Sequence, residues 1–393
     1  MAHRPRRLDR SVAVTGLVLL LLTCLTAPAA PTRVPAPPPA PALAPVPAPT
    51  PAAAVTAPPL TPEQLAGQRV VYSYRGLTPP PSLLQAIREG RAAGVIFFTG
   101  NIAGPEQLSA VVEQLRQAQR ESPVQLPLLL MTDQEGGRVR RLPGAPELSA
   151  REVGTAADPT VAATEAGTGA AANLAGVGLN TNLAPVLDVY DRPDNFIDHS
   201  ERSFGRDPSE VAALGGMFTA ALQRHGIAAT AKHFPGLGTA AREENTDDRP
   251  VTLNVPLAQL RAVGEAPYYA AIAERVKLVM LSWAVYPALD PDRPAGLSPA
   301  VVQGELRNRL GYRGVTVTDA LEAGALGAFG DTGDRAVAAA EAGMDLLLCS
   351  SGDTQQGDDA ATALTTALTE HRLQPAEFTA AVTRITTLRA GLR

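Results

Sequence analysis

From residue 61 onward, short apolar runs alternate with longer stretches in which apolar positions recur every three or four residues. The runs are RVVYSY (69–74), GVIFF (94–98), LPLLLMTD (126–133), NTNLAPVLDV (180–189), ATAKHF (229–234), VKLVMLSW (276–283), GVTVTDA (314–320) and MDLLLC (344–349). Most are apolar throughout, the pattern of strands covered on both faces. The intervening stretches, such as PEQLSAVVEQLRQAQRE and PSEVAALGGMFTAALQRHG, read as amphipathic helices. Asp207-Pro208 supplies a cap and a first-turn proline for the second of them. Eight strand-and-helix alternations predict an α/β fold, a (β/α)8 TIM-type barrel over residues 61–393, with a doubly wound open sheet as the alternative.

The first sixty residues follow another pattern. Arg4, Arg6, Arg7 and Arg10 precede the apolar run VAVTGLVLLLL, and the small residues of TCLTAPAA follow, so residues 1–30 read as an export signal peptide. The run from Val12 to Leu22 is shorter than the roughly 20 residues of a membrane-spanning helix. Cys24, after Leu-Leu-Thr, resembles a bacterial lipoprotein cleavage box, although Thr23 stands where a smaller residue is usual. Cleavage after Ala29 or Ala30, with Cys24 discarded, is the alternative. Residues 31–60 alternate Pro with Ala around a single charge, Arg33, which favours an extended tether over a packed structure. This organisation predicts a secreted or cell-envelope protein, either free or held on the outer face of the cytoplasmic membrane by a lipid on Cys24.

Composition adds limits. With 45% hydrophobic residues, 19% charged residues and a net charge of −5, the chain can bury a large core and lacks the basic footprint of a nucleic-acid binder. Cys349 is the only other cysteine, so no disulfide is expected within the mature domain, and the thiol reads as a small buried hydrophobe. Asp133, Asp188, Lys232, His233, Trp283 and Asp319 all fall at the C-terminal ends of the expected strands, which in a barrel form one rim. Each alone could be a strand-end or capping residue, and for Asp188 both readings stand. His3, His199, His225 and His371 lie at no metal-ligand spacing from His233, so no metal and no cofactor are expected.

Six segments, DQEGGRVRR (133–141), NLAPVLDV (182–189), ERSFGRDP (201–208), AKHFPG (231–236), GVTVTDAL (314–321) and AGMDLLLC (342–349), together resemble glycoside hydrolase family 3 in its single-domain β-N-acetylhexosaminidase branch. The resemblance implies a retaining hydrolase of β-N-acetylglucosaminides, with muropeptide-like peptidoglycan fragments as natural substrates. It implies Asp319 as the nucleophile, and delivery to the rim by a rigid strand suits that task. Asp133 and Arg141 match positions that bind the terminal sugar, a carboxylate and a guanidinium able to clamp hydroxyl groups. Gly136-Gly137 permits the tight turn between them. Arg202, Lys232 and His233 match further sugar-contacting positions, whereas Arg138 and Arg140 read as structural or solvent-facing.

The sequence departs from this branch where the acid/base belongs. The branch commonly carries an Asp-Ser-His stretch in the loop after KHFPG, but ungapped alignment from Lys232 puts Glu243, Glu244 and Asn245 there. No histidine occurs between His233 and His371. Leu237 also replaces a histidine, and Ser282-Trp283 an Ala-His pair. Trp283 could stack on a sugar or pack against the rim. The loop EENTDD offers four carboxylates, Glu243, Glu244, Asp247 and Asp248. Reading Asn245-Thr246-Asp247 as the loop tip, with two extra residues before it, places Asp247 at the missing histidine and makes it the expected acid/base. A sugar-binding protein without catalysis, or a family 3 hydrolase of another β-glycoside, are the alternatives.

Overall fold

The computed structural model describes residues 60–392. The expected export signal, Cys24 and residues 31–59 of the Pro/Ala-rich segment lie outside the described residues. Eight parallel strands close into a barrel: β1 (Val70–Tyr72), β2 (Gly94–Ile96), β3 (Leu129–Thr132), β4 (Thr181–Asn182), β5 (Ala228–Phe234), β6 (Leu278–Leu281), β7 (Val315–Ala320) and β8 (Leu346–Leu348). Each pairs with its sequence neighbours, and β1 meets β8 at Val70↔Leu347 to complete the ring. Seven strands fall inside their apolar runs, β5 begins one residue ahead of its run at Ala228, and closure excludes the open sheet.

The apolarity of most of the runs has its cause in two distinct cores. Val71, Ile96, Leu129, Met131, Leu278, Met280, Val315, Val317, Leu346 and Leu348 pack together in one cluster. The residues between them, including Val70, Tyr72, Leu130, Val279 and Leu347, pack in the other with the helices. Successive strand residues point to opposite faces, so a strand with a filled barrel interior on one side and helices on the other is covered on both, and the polar residues it does carry, such as Thr316 and Thr318, are buried and hydrogen-bonded.

The expected helices form at Pro105–Arg120 and Pro208–Arg224. The Asp207 side chain caps the second by accepting from Ser209 N–H at 2.7 Å. The C-terminal helix Pro375–Ala390 reaches the start of the barrel strands, where buried Arg389 donates to the carbonyls of Pro127 (2.7 Å) and Leu126 (3.0 Å). Cys349 is buried, and burial pushes its thiol pKa well up.

The run 180–189 differs from expectation in forming only a two-residue strand. Pro185 has no N–H to give the ladder. Pairing with β5 continues irregularly through Thr230 N–H to Ala184 O (2.9 Å) and Leu187 N–H to Lys232 O (2.7 Å).

Candidate active site

At the C-terminal ends of the strands lies a pocket of about 350 Å³ whose walls include Asp133, Arg141, Arg202, Lys232, His233, Asp247 and Asp319. All seven expected site residues therefore meet in one cavity, at the rim where a barrel presents its loops. The volume is at the small end of the roughly 300–1,000 Å³ of small-molecule sites.

Asp133 and Arg141 reach the pocket through a hairpin, Gln134–Gly136 against Val139–Arg140, closed by Arg141 N–H donating to Asp133 O at 3.2 Å. The hairpin needs both glycines: Gly136 and Gly137 have φ of +119° and +52°, where a side chain is strained. The two side chains approach to 3.7 Å. Arg141 Nε is buried with no hydrogen-bond acceptor among the described residues. Arg138 is exposed beside Glu201, and Arg140 donates to the carbonyl of Gly144, as structural roles require.

Lys232 is 2% exposed, and its ammonium sits 2.7 Å from both Asp133 Oδ1 and Glu135 Oε1. Arg202 grips the same Glu135 with two hydrogen bonds, Nε to Oε2 at 2.9 Å and Nη2 to Oε1 at 2.8 Å. Burial alone would raise the Glu135 pKa, but Arg202 and Lys232 outweigh it and hold the carboxyl well below the usual range. Burial likewise disfavours the charged lysine, yet Asp133 and Glu135 leave the Lys232 pKa raised. Glu135 is thus the anionic hub that keeps two cations fixed at the pocket wall. Sequence reading passed over it; the available signal was a carboxylate beside Asp133 in a glycine turn, and its partners lie 67 and 97 residues downstream.

His233 donates from Nδ1 to Asp188 Oδ2 at 2.7 Å, because a carboxylate there can only accept; Nε2 is then left as an acceptor 3.5 Å from Arg202 Nη2. Asp188 is 0% exposed and also accepts from Leu237 N–H at 2.7 Å. It caps no helix and does not line the pocket. Its position is beneath His233, fixing the ring and the start of the following loop.

Asp319 stands half-buried in β7 and accepts from Ala320 N–H at 2.8 Å. No helix begins there, so it is not a helix cap. Of the four loop carboxylates only Asp247 lines the pocket. Glu244 instead caps its own turn through Ala241 N–H (2.6 Å), while Glu243 and Asp248 are exposed. Burial against the pocket wall and the charge of Asp319 push the Asp247 carboxyl up to about 6, against the lowering influence of His233 and Arg202. The outer side of Asp247 is exposed to water, which screens part of this effect.

Trp283 settles the other way from the sugar platform entertained for it. It is 1% exposed, does not line the pocket, and its indole donates to Ala320 O at 2.8 Å, so it packs the rim beneath β7.

This geometry, a sugar-sized pocket with cations and carboxylates interleaved, agrees with what comparison with known proteins shows. The profile of the glycosyl hydrolase family 3 N-terminal domain matches residues 78–388. A protein of Arthroderma benhamiae named as an uncharacterized secreted glycosyl hydrolase is 45% identical over 344 residues, covering 86% of this chain and 97% of that protein. Similar solved structures include two enzymes of known class. A glycoside hydrolase family 3 β-N-acetylglucosaminidase from Paenibacillus sp. has a TM-score of 0.80 at 35% identity, over 85% of this chain and 63% of that one. A β-N-acetylhexosaminidase from Beutenbergia cavernae has a TM-score of 0.77 at 33% identity, over 84% of this chain and 99% of that one. The chain belongs to glycosyl hydrolase family 3 and is a glycoside hydrolase acting on carbohydrate.

Proposed function

We propose that this hydrolase is a retaining exo-β-N-acetylhexosaminidase that removes terminal β-linked N-acetylglucosamine from peptidoglycan fragments outside the cytoplasm. One observation carries the reading: two carboxylates from separate elements, Asp319 on a strand and Asp247 on a loop, line the same pocket, and the surroundings of Asp247 favour its protonated form. The similar structures named above are β-N-acetylhexosaminidases or β-N-acetylglucosaminidases, which supports the substrate class. The Arthroderma relative is named as secreted, in line with the export-like residues 1–30.

In the first step the Asp319 carboxylate attacks the anomeric carbon and forms the glycosyl ester. The glycosidic C–O bond breaks, and its electron pair takes the proton of Asp247 as the leaving alcohol departs. In the second step the Asp247 carboxylate removes a proton from water, the oxygen attacks the same carbon, and Asp319 is released. Asp133, Arg141, Lys232, His233 and Arg202, which line the pocket, hold the sugar hydroxyls and the acetamido group. A pocket of about 350 Å³ suits a single terminal sugar, which supports exo action.

Full-length protein should turn over an aryl β-N-acetylglucosaminide with kcat/KM about 10²-fold or more above the β-glucoside and β-xyloside, and should release N-acetylglucosamine from a muropeptide. Sugar binding without turnover between about pH 4 and pH 8 would identify a binding protein, the reading that the missing loop histidine favours. Preference for the glucoside or xyloside would leave the hydrolase but change its substrate.

A further inference from the structure

The acidic loop is fastened to the turn that follows β7. After Asp319 the chain enters a one-turn helix, Gly324–Leu326, in which Ala325 and Leu326 are buried. Gly324 N–H donates to Asp247 O at 2.7 Å, and Ala325 N–H donates to Thr246 O at 3.0 Å. From the loop side, Asn245 Oδ1 accepts from Asp247 N–H at 3.1 Å while its Nδ2 donates to Asp248 Oδ2 at 2.9 Å. Thr246, between them, is buried.

The fastening requires glycine at 324 for a steric reason. A Cβ there would stand well inside 3.0 Å of the carbonyl carbon and oxygen of Asp248, backbone atoms that cannot rotate away. The φ of Gly324 is outside the left-handed region, so space and not conformation excludes a side chain. We infer that Gly324 is a positioning residue for the catalytic proton: it clasps the loop of Asp247 onto the segment that carries Asp319. Acid and nucleophile are then positioned relative to one another by one strand-and-turn unit.

This inference rests on Asp247 being the general acid, and its test keeps the two separable. Gly324→Ala forces the loop back by about 1 Å, a misplacement that costs on the order of 10²-fold when it separates reacting groups. In the full-length protein, kcat/KM is compared for a β-linked N-acetylglucosaminyl disaccharide, whose leaving group needs a proton, and a 2,4-dinitrophenyl glycoside, whose leaving group does not. Gly324→Ala should lose about 10²-fold on the disaccharide and less than about 3-fold on the dinitrophenyl substrate, and should flatten the basic limb of the pH profile. Equal losses on both substrates, or none on either, would overturn the clasp. Asp247→Asn is run alongside: if it spares the disaccharide, the acid assignment fails; if it shows the selective loss and Gly324→Ala does not, only the clasp fails. Dinitrophenyl turnover shows that the variant is folded. Should Gly324→Ala not fold, Ala325→Pro, which removes the N–H to Thr246 O, must give the same selective loss.

Discussion

Glu135→Gln is the substitution whose effect follows most directly from the geometry. Among the described residues, it removes the only negative charge that Arg202 contacts and one of two that hold the 2%-exposed Lys232. Leaving a buried charge without its partner costs about 3–5 kcal/mol. The glutamine carbonyl still accepts one hydrogen bond, so we expect the lower end, about 3 kcal/mol. For about 330 ordered residues the unfolding entropy near Tm is about 0.7 kcal/mol per degree, so the melting temperature should fall by about 4 °C. The pH dependence has a definite sign. The Glu135 pKa is depressed in the folded state, so its stabilisation is fully present above the ordinary value of 4.5 and is lost as pH falls through the lower folded value. Calorimetry of wild type and variant should therefore show the full gap at neutral pH and a narrowing gap below about pH 4. KM should rise about tenfold, since Arg202 loses the carboxylate that orients it. A Tm change under about 1 °C, or a gap independent of pH, would refute the role of Glu135 as the anchor of both cations.

Two further changes probe the proton donor and the rim. Asp247→Asn should lower kcat/KM on a poor leaving group by about 10²–10³-fold, and azide, which replaces water as nucleophile but brings no proton to the leaving group, should raise kcat only on a 2,4-dinitrophenyl glycoside. Because the protonated acid is the working form, wild-type kcat/KM should fall as pH rises through about 6, the value to which Asp247 is pushed; a limb that persists in the variant would assign it to another group. Trp283→Phe removes the hydrogen bond to Ala320 O and should cost about 2 kcal/mol of stability with KM unchanged. A large rise in KM would return the indole to the sugar site.

Most of the architecture was legible in the sequence because a barrel strand is covered on both faces, and most of the eight runs are accordingly apolar throughout. The rim followed from the same reading, since Asp133, Lys232, His233 and Asp319 end or follow strands. Glu135 was not legible: no periodicity marks a carboxylate in a glycine turn, and its two partners are brought to it only when β3, β5 and the loop after β4 converge. Asp188 carried no sign of its depth, because a strand-end aspartate reads the same whether it caps a turn or is buried under a histidine. The choice among four loop carboxylates depended on which way the turn at Asn245 faces, and that is set by the contact with Gly324, 79 residues away along the chain. Pro185 interrupts the run 180–189 beyond β4 in a way the apolar pattern does not register.

The nucleophile is tested most directly by trapping it. Full-length protein treated with a slow fluorinated aryl N-acetylglucosaminide should gain the mass of one glycosyl unit, digestion should place that unit on Asp319, and Asp319→Ala should gain nothing. Turnover without an adduct, or an adduct on another residue, would contradict a retaining mechanism through Asp319.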